Sequence, residues 1–148
     1  TRGDLWIADV GQDSYEEIDR IPLQSSRGAS FGWSAREATH AFNADQDGRD
    51  GTYRRVEPIH EYPHSDSDCS IAGGAVYRGT RIPVVGDWYV FSDYCSGRVR
   101  ALCADTEGAC GVVDIGRVPQ SVAVVGDANG ELWVLSLDGR LVPLVSDR

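Results

Sequence analysis

Residues 60–64 of this 148-residue chain read His-Glu-Tyr-Pro-His, which matches the HExxH pattern that binds zinc in metalloproteases. Zinc binding by this pattern needs a helix, because only a helix places both histidines on one face. Pro63 inside the motif and Pro58 just before it disfavour a helix. We therefore expect a strand followed by a loop, and no zinc.

A second acidic pattern lies at residues 43–48, where Asn43, Asp45, Asp47 and Gly48 have the spacing that opens an EF-hand calcium loop. The twelfth position of such a loop would be Arg54, where EF-hands carry a bidentate glutamate. A solvated loop is the expectation here, and a calcium site is the alternative.

The four cysteines contain no CxxC pair, so their spacing does not indicate a metal site. Cys103 and Cys110 bracket a polar, turn-forming stretch and are placed to close a hairpin. Cys69 and Cys95 are symmetric about residue 82, in the middle of a predicted turn, so they should face each other across a hairpin. We predict both bridges, which indicate an oxidising compartment and hence a secreted or periplasmic protein.

The net charge of −9 disfavours nucleic acid and anionic membranes as partners, because both attract basic surfaces. No apolar run approaches the length that spans a membrane. The chain contains no methionine, including at position 1. We therefore expect a processed chain or an internal fragment of a longer protein.

A strand-like pattern occurs three times, at 3–10 (GDLWIADV), 86–94 (GDWYVFSDY) and 130–137 (GELWVLSL). Each copy is a glycine and an acidic residue followed by aromatic and β-branched side chains, which favours a strand entered from a tight turn. The last two copies start 44 positions apart, which matches the roughly 40 to 45 residues of one four-stranded propeller blade. The first two start 83 positions apart, which we interpret as one blade with a large insertion.

Helical periodicity is essentially absent, so the predicted fold is all-β. Residues 69–118 read as a complete four-stranded blade, and 119–148 as a last blade that lacks its outer strand. Residues 1–68 read as an incomplete blade with a long insertion. Within the insertion, residues 23–68, only 58–62 resembles a strand. Closed propellers have roughly four to eight blades, so about two and a half to three blades predict an open arc. The predicted strands are 4–10, 16–22, 58–62, 71–78, 88–93, 98–104, 111–117, 121–125, 131–136 and 141–145.

An open arc would leave apolar side chains uncovered at both ends and a sheet edge free to pair with another chain. We therefore expect self-association or a need for the missing half. The candidates for exposure are Ile7, Ile18 and Ile21 at one end, and Trp133, Leu135 and Val142 at the other.

Six motifs in this order resemble the C-terminal half of the glucose/sorbosone dehydrogenase family: GDLWIADVGQDSYEEID, SFGW, PIHEYPH, CSIAGGAVYRG, GDWYVFSDYCSGRVRAL and GELWVL. That family consists of six-bladed β-propellers and includes the soluble pyrroloquinoline-quinone (PQQ) dependent aldose dehydrogenases. The resemblance covers about residues 3–145. It implies oxidation of the C1 hydroxyl of a sugar by hydride transfer to PQQ, with a histidine base and a calcium ion.

The resemblance also implies ligands. Gly11 and Gln12 fall where the family offers two backbone carbonyls to the calcium ion associated with PQQ. Glu17 matches a carboxylate of a second calcium site, and the carbonyl of Phe31 matches another ligand of that site. Calcium takes about six to eight oxygen ligands, so further ligands are required. Glycine at position 11 can also adopt a positive φ and bring its backbone close to a ligand.

Other features of the family are missing. Its histidine base and an Arg-Asn pair that grips PQQ belong to the N-terminal half, so this chain alone is expected to be inactive. Cys95 lies near the position of a lysine that contacts PQQ, and Val118 and Gln120 lie near an arginine pair. These changes remove positive charge from the site of an anionic cofactor.

The alternative is therefore a non-catalytic extracellular propeller that binds protein or carbohydrate, as the similarity to hedgehog-interacting proteins implies. In either case we expect His64 in a surface loop, with the upper face of the ring as the alternative. An upstream sequence with the histidine and the Arg-Asn pair would favour the enzyme.

Overall fold

The computed structural model describes residues 3–46, 53–105 and 109–146. The chain divides into two compact units, residues 1–65 and residues 66–148. The described elements are β-strands and short 3-10 turns, and no helix among them is long and apolar enough to cross a membrane. The all-β prediction is confirmed.

The first unit is built around a three-stranded antiparallel sheet and two small strand pairs. Its strands are β1 (Asp4–Asp9), β2 (Tyr15–Pro22), β3 (Ala29–Ser30), β4 (Arg36–Glu37), β5 (His40–Ala41), β6 (Arg54–Arg55) and β7 (His60–Pro63), with a 3-10 helix at Leu23–Ser25. The sheet has the order β1-β2-β7, so β2 is the central strand. β3 pairs with β6 in parallel, and β4 with β5 as a hairpin.

The segment after β2 is more regular than predicted. We expected one strand-like piece at 58–62, whereas four two-residue strands precede β7. The sequence did not reveal them because two-residue strands are too short to show an alternating pattern. Asp47 and Gly48 of the EF-hand pattern lie outside the described residues.

The second unit contains one four-stranded and one three-stranded antiparallel sheet. Its strands are β8 (Ile71–Val76), β9 (Tyr89–Asp93), β10 (Arg98–Ala104), β11 (Ala109–Arg117), β12 (Ser121–Gly126), β13 (Leu132–Ser136) and β14 (Leu141–Pro143), with a 3-10 helix at Pro83–Val85. The sheet orders are β11-β10-β9-β8 and β12-β13-β14, so consecutive strands are neighbours throughout. The predicted strands of this region are therefore confirmed to within a few residues.

A shared apolar core joins the two sheets of the second unit. Alternating positions on β9, β10, β12 and β13 face inward, which follows from the two-residue period of a strand. Full burial of side chains of this size stabilises a fold by roughly 1.5–3 kcal/mol each. The core cluster contains Tyr77, Ile82, Val85, Val90, Val99, Ala101, Val118, Val124, Leu132, Val134 and Leu144.

Both predicted disulfides are present. Cys69–Cys95 has a Cα–Cα distance of 5.6 Å, and Cys103–Cys110 has one of 5.2 Å. The first bridge continues the register of β8 and β9, in which Ile71 lies opposite Asp93. The symmetry argument made from the sequence is thus confirmed.

The Asp93 carboxylate ties the two ends of the β8–β9 hairpin together. Its Oδ2 accepts hydrogen bonds from the backbone N–H of Cys69 and of Ser70, each at 3.0 Å. Its Oδ1 accepts one from the N–H of Ser96 at 2.9 Å. Asp93 is 0% exposed, so its carboxylate is satisfied by these backbone amides inside the fold.

The expected exposure of apolar side chains on β2 is wrong. Ile18 is 0% exposed and Ile21 is 2% exposed, because β2 is the central strand of its sheet. Ile7, Trp133, Leu135 and Val142 are half-buried.

Candidate metal centre

Strands β1 and β2 bring three carboxylates together on one face of the first sheet. Asp9 of β1 lies directly opposite Glu17 of β2. Asp19 follows Glu17 by two positions and therefore points to the same face. One carboxylate oxygen from each of the three residues lies within 4.8 Å of those of the other two. This spacing allows a single cation to contact all three.

Two of these carboxylates are buried without a hydrogen-bond donor. Glu17 is 6% exposed and Asp19 is 0% exposed. Among the described residues, nothing hydrogen-bonds to Oε2 of Glu17 or to either oxygen of Asp19. Burying an ionised carboxylate without a partner is costly, so such groups bind a cation or keep a proton. The cluster is therefore suited to bind a cation, which would replace the retained protons.

The three carboxyl groups of the cluster all have raised pKa values. Burial, then the negative charges of Asp19 and Asp9, raise the pKa of Glu17 to about 8. Burial, then the charge of Asp9, raises the pKa of Asp19 to about 7, and burial also raises the pKa of Asp9. Near neutral pH the cluster thus retains protons that a metal ion can displace.

The cluster opens into a cleft with two walls. One wall comes from the end of β1, the following turn and the start of β2. The opposite wall comes from the segment around β4, where Trp33 is 57% exposed. The cleft is lined by Asp9, Val10, Gly11, Tyr15, Glu17, Trp33, Arg36, Glu37 and Ala38.

Glu37 connects the two walls. Its Oε1 accepts hydrogen bonds from three successive backbone N–H groups, those of Asp13 at 2.6 Å, Ser14 at 2.8 Å and Tyr15 at 3.2 Å. Although burial acts in the opposite direction, these bonds lower the pKa of Glu37. Glu37 is therefore an ionised group that is already satisfied by the turn.

Glu61 extends the row of acidic residues across the sheet, since it lies opposite Glu17 on β7. It is paired, unlike Glu17. The N–H and hydroxyl of Thr39 donate to it, and Nε2 of His40 lies 3.0 Å from its Oε1. Burial acts against the shift, but these contacts lower the pKa of Glu61. The β4–β5 hairpin thus contacts the first sheet in two places, through Glu37 at the β1–β2 turn and through Thr39 and His40 at Glu61 on β7.

The structure brings only part of the predicted site together. Glu17 is central, and Gly11 lines the cleft. Gln12 is exposed in the turn, and Phe31 is half-buried in the segment after β3, outside the cleft. Gly11 does not have the positive φ that we considered. It is required because a Cβ atom there would lie 1.6 Å from the carbonyl oxygen of Tyr15.

Asp9 and Asp19 were missed by the sequence analysis. The Glu17-x-Asp19 alternation on a predicted strand was the available signal, because it places both side chains on one face. Asp9 becomes relevant only once the register of β1 against β2 is known.

The HExxH residues lie on a strand and the residue after it, and not on one face of a helix. Residues 60–63 are strand β7, as expected. Nε2 of His64 lies 2.6 Å from Oε1 of Glu16, which is 0% exposed. His64 is therefore half-buried against a carboxylate rather than part of a freely exposed loop.

Three positions that the resemblance aligns near the family's PQQ-binding lysine and arginine residues carry no positive charge. Cys95 is half of a disulfide, Val118 is 4% exposed in the core, and Gln120 is an exposed turn residue. These side chains do not fit an anionic cofactor such as PQQ.

No protein-family model matches the chain. Among curated proteins, the HIPL1 protein of Arabidopsis thaliana is 36% identical over 95 residues, which is 58% of this chain and 13% of that protein. The HIPL2 protein of the same plant is 28% identical over 120 residues, 72% of this chain and 16% of that protein. The chain thus spans about one-seventh of these relatives.

Two solved structures share the fold. The PQQ-bound form of aldose sugar dehydrogenase from Streptomyces coelicolor gives a TM-score of 0.68 at 15% identity, over 96% of this chain and 40% of that one. A crystal structure of glucose dehydrogenase gives 0.69 at 17% identity, over 99% of this chain and 42% of that one. The resemblance to PQQ-dependent sugar dehydrogenases and to hedgehog-interacting-protein-like chains is confirmed, and the fold is that of part of a β-propeller.

Proposed function

We propose that this chain is the calcium-binding part of a longer propeller of the glucose/sorbosone dehydrogenase type. The observation that carries the proposal is the cluster of Asp9, Glu17 and Asp19, in which Oε2 of Glu17 and both oxygens of Asp19 are buried without a donor among the described residues. The likeness to solved sugar dehydrogenases supports the wider assignment, in which the longer protein oxidises an aldose.

Calcium is the cation that suits this site best. The cluster offers only carboxylate oxygens, which are hard ligands, and contains no sulfur or imidazole. Three carboxylates supply at most about six oxygens, and water would complete the shell. When bound, the ion neutralises the cluster and fixes β1 against β2. Cys95, Val118 and Gln120 do not fit PQQ, so the role proposed for this chain is limited to binding the cation.

The second candidate is a non-catalytic extracellular propeller that binds a sugar or a protein. It is favoured by the uncharged residues at positions 95, 118 and 120 and by the similarity to the HIPL1 and HIPL2 proteins. Both candidates assign the chain to a secreted or periplasmic protein, which the two disulfides support. In both, residues 1–68, 69–118 and 119–148 correspond to successive blades.

Calcium binding tests the cation site. The chain, freed of metal with a chelator, is expected to bind calcium in a calorimetric titration. Glu17→Gln and Asp19→Asn should each weaken binding by about tenfold or more, because each removes a charged ligand. Asp138→Asn removes the same charge from an exposed turn of the second unit and should leave the affinity unchanged. A titration without binding, or variants that bind like the wild type, would contradict the site.

The activity assay tests the role of the missing half. With PQQ, calcium and glucose, the chain alone is expected to reduce a redox dye no faster than a mixture that contains only the cofactor. The reason is that the family's histidine base lies upstream of the matching segment. Dye reduction clearly above that blank would show that this chain carries its own base.

A further inference from the structure

We propose that Glu37 is a positioning residue that fixes the turn between β1 and β2 and thereby holds the cation site in shape. This inference rests on the proposed calcium site and adds a residue that supplies no ligand to it. The turn occupies residues 10–14, and the two strands that it joins present Asp9 and Glu17 as a facing pair. Asp9 and Glu17 are the pair of this ladder nearest the turn, so the turn conformation bears directly on the separation of their carboxylates.

The contacts of Glu37 are concentrated on that turn. The three successive amides of residues 13–15 all donate to the same oxygen, Oε1. A run of consecutive N–H groups around one anion is a geometry that strongly favours the charged form. Glu37 is 6% exposed, so water cannot easily take its place. Without this acceptor the turn would lose three hydrogen bonds at once.

Gly11 shows how tightly the turn is held. An added Cβ there would lie 2.5 Å from Oε1 of Glu37 and 1.6 Å from the carbonyl oxygen of Tyr15. The backbone is thus packed directly against the carboxylate, with no room for a side chain between them. The position of the Glu37 carboxylate therefore sets the position of the turn.

Electrostatic repulsion explains why the site needs such a residue. Asp9 and Glu17 have like charges when ionised, and no donor among the described residues meets Oε2 of Glu17. Once both groups are ionised and no cation is bound, repulsion tends to separate the ends of β1 and β2. Glu37 opposes that separation through the backbone, at a position 20 residues further along the chain than Glu17.

Three substitutions in the full chain separate positioning from charge. Glu37→Gln removes the charge but keeps a carbonyl acceptor at the same distance. Glu37→Asp keeps the charge but withdraws the acceptor by one methylene group. Glu37→Ala removes both. If Glu37 acts by position, Glu37→Asp and Glu37→Ala should weaken calcium binding by about tenfold or more, whereas Glu37→Gln should stay within about threefold of the wild type.

A second readout does not depend on calcium. Amide hydrogen exchange at residues 13–15, measured in chelator, should accelerate most in Glu37→Asp and Glu37→Ala and least in Glu37→Gln. Asp138→Ala serves as a control and should alter neither measurement. The comparison of Glu37→Gln with Glu37→Asp decides the question even if Glu37→Ala fails to fold.

The outcomes are distinguishable from a failure of the calcium site itself. A wild-type chain that binds no calcium overturns the proposed function and this inference with it. Normal binding by Glu37→Asp overturns only the inference. A loss in Glu37→Gln as large as in Glu37→Asp would also overturn it, because the charge rather than the position of Glu37 would then govern the affinity.

Discussion

In the absence of calcium, the chain is expected to lose stability as the pH rises from about 5 to about 8, and calcium is expected to remove most of that loss. Burial, together with neighbouring acidic groups, raises the pKa of Glu17 from 4.5 to about 8 and that of Asp19 from 3.8 to about 7. The folded chain therefore keeps protons at pH values where the unfolded chain has already released them.

The sign follows from the number of bound protons. Where the folded state binds more protons than the unfolded state, the free energy of unfolding falls as the pH rises. One pKa unit corresponds to about 1.4 kcal/mol, so the two raised pKa values predict a total loss of several kcal/mol. The negative charges of Asp9, Glu57 and Glu61 also raise the pKa of Glu17 and so add to this loss. The loss ends once Glu17 is ionised in both states.

Glu37 gives the opposite dependence at lower pH. Although burial opposes the shift, hydrogen bonds from the turn lower its pKa. Its contribution to stability is therefore present above its unfolded pKa and is lost as the pH falls through its folded pKa. The apo chain should consequently be most stable in mildly acidic solution.

Urea unfolding at a series of pH values, in chelator and in excess calcium, measures this effect. The control is Asp19→Asn, which cannot ionise and should flatten the profile in chelator. Stability that stays constant or increases between about pH 5 and about pH 8 in chelator would show that the carboxylates are not held as described.

Asp93→Ala is expected to destabilise the chain by about 3–5 kcal/mol, the second large effect. The carboxylate accepts from the N–H groups of Cys69, Ser70 and Ser96, and Asp93 is 0% exposed. Its removal leaves three amides without that acceptor, of which the one on Ser96 belongs to a buried residue. An unsatisfied buried donor costs about 1–3 kcal/mol, which sets the expected size of the effect.

Denaturant unfolding under oxidising conditions measures this loss with both disulfides intact. Asp93→Asn should be intermediate, because its amide group retains one acceptor oxygen. The control is Asp138→Ala, which removes an aspartate from an exposed turn and should change stability little. A value for Asp93→Ala below about 1 kcal/mol would mean that the amides find other acceptors.

The parts of the fold that follow local rules could be predicted. The runs of aromatic and β-branched residues and the turn residues between them located the strands of the second unit, and the symmetric placement of Cys69 and Cys95 gave their pairing. The β-strand at residues 60–63 followed from the position of Pro63 within the motif. Each of these signals lies within one strand or one hairpin.

The full set of residues at the site could not be predicted, because it depends on tertiary contacts between residues that are distant in the sequence. Asp9 joins Glu17 through the register of two strands, and Glu37 reaches the turn across more than 20 positions. Glycine at position 11 was explained by a positive φ, whereas the actual cause is the close approach of the Tyr15 carbonyl. Such tertiary proximities follow only from the packed structure.

The two disulfides have a practical consequence for detecting damage to this protein. The bridges close the segments 69–95 and 103–110. A protease cut inside either segment leaves two pieces that remain covalently joined. Electrophoresis without reductant would then show one band at the mass of the intact 16.1 kDa chain, whereas reductant would separate the pieces. Integrity of the polypeptide must therefore be judged on reduced samples.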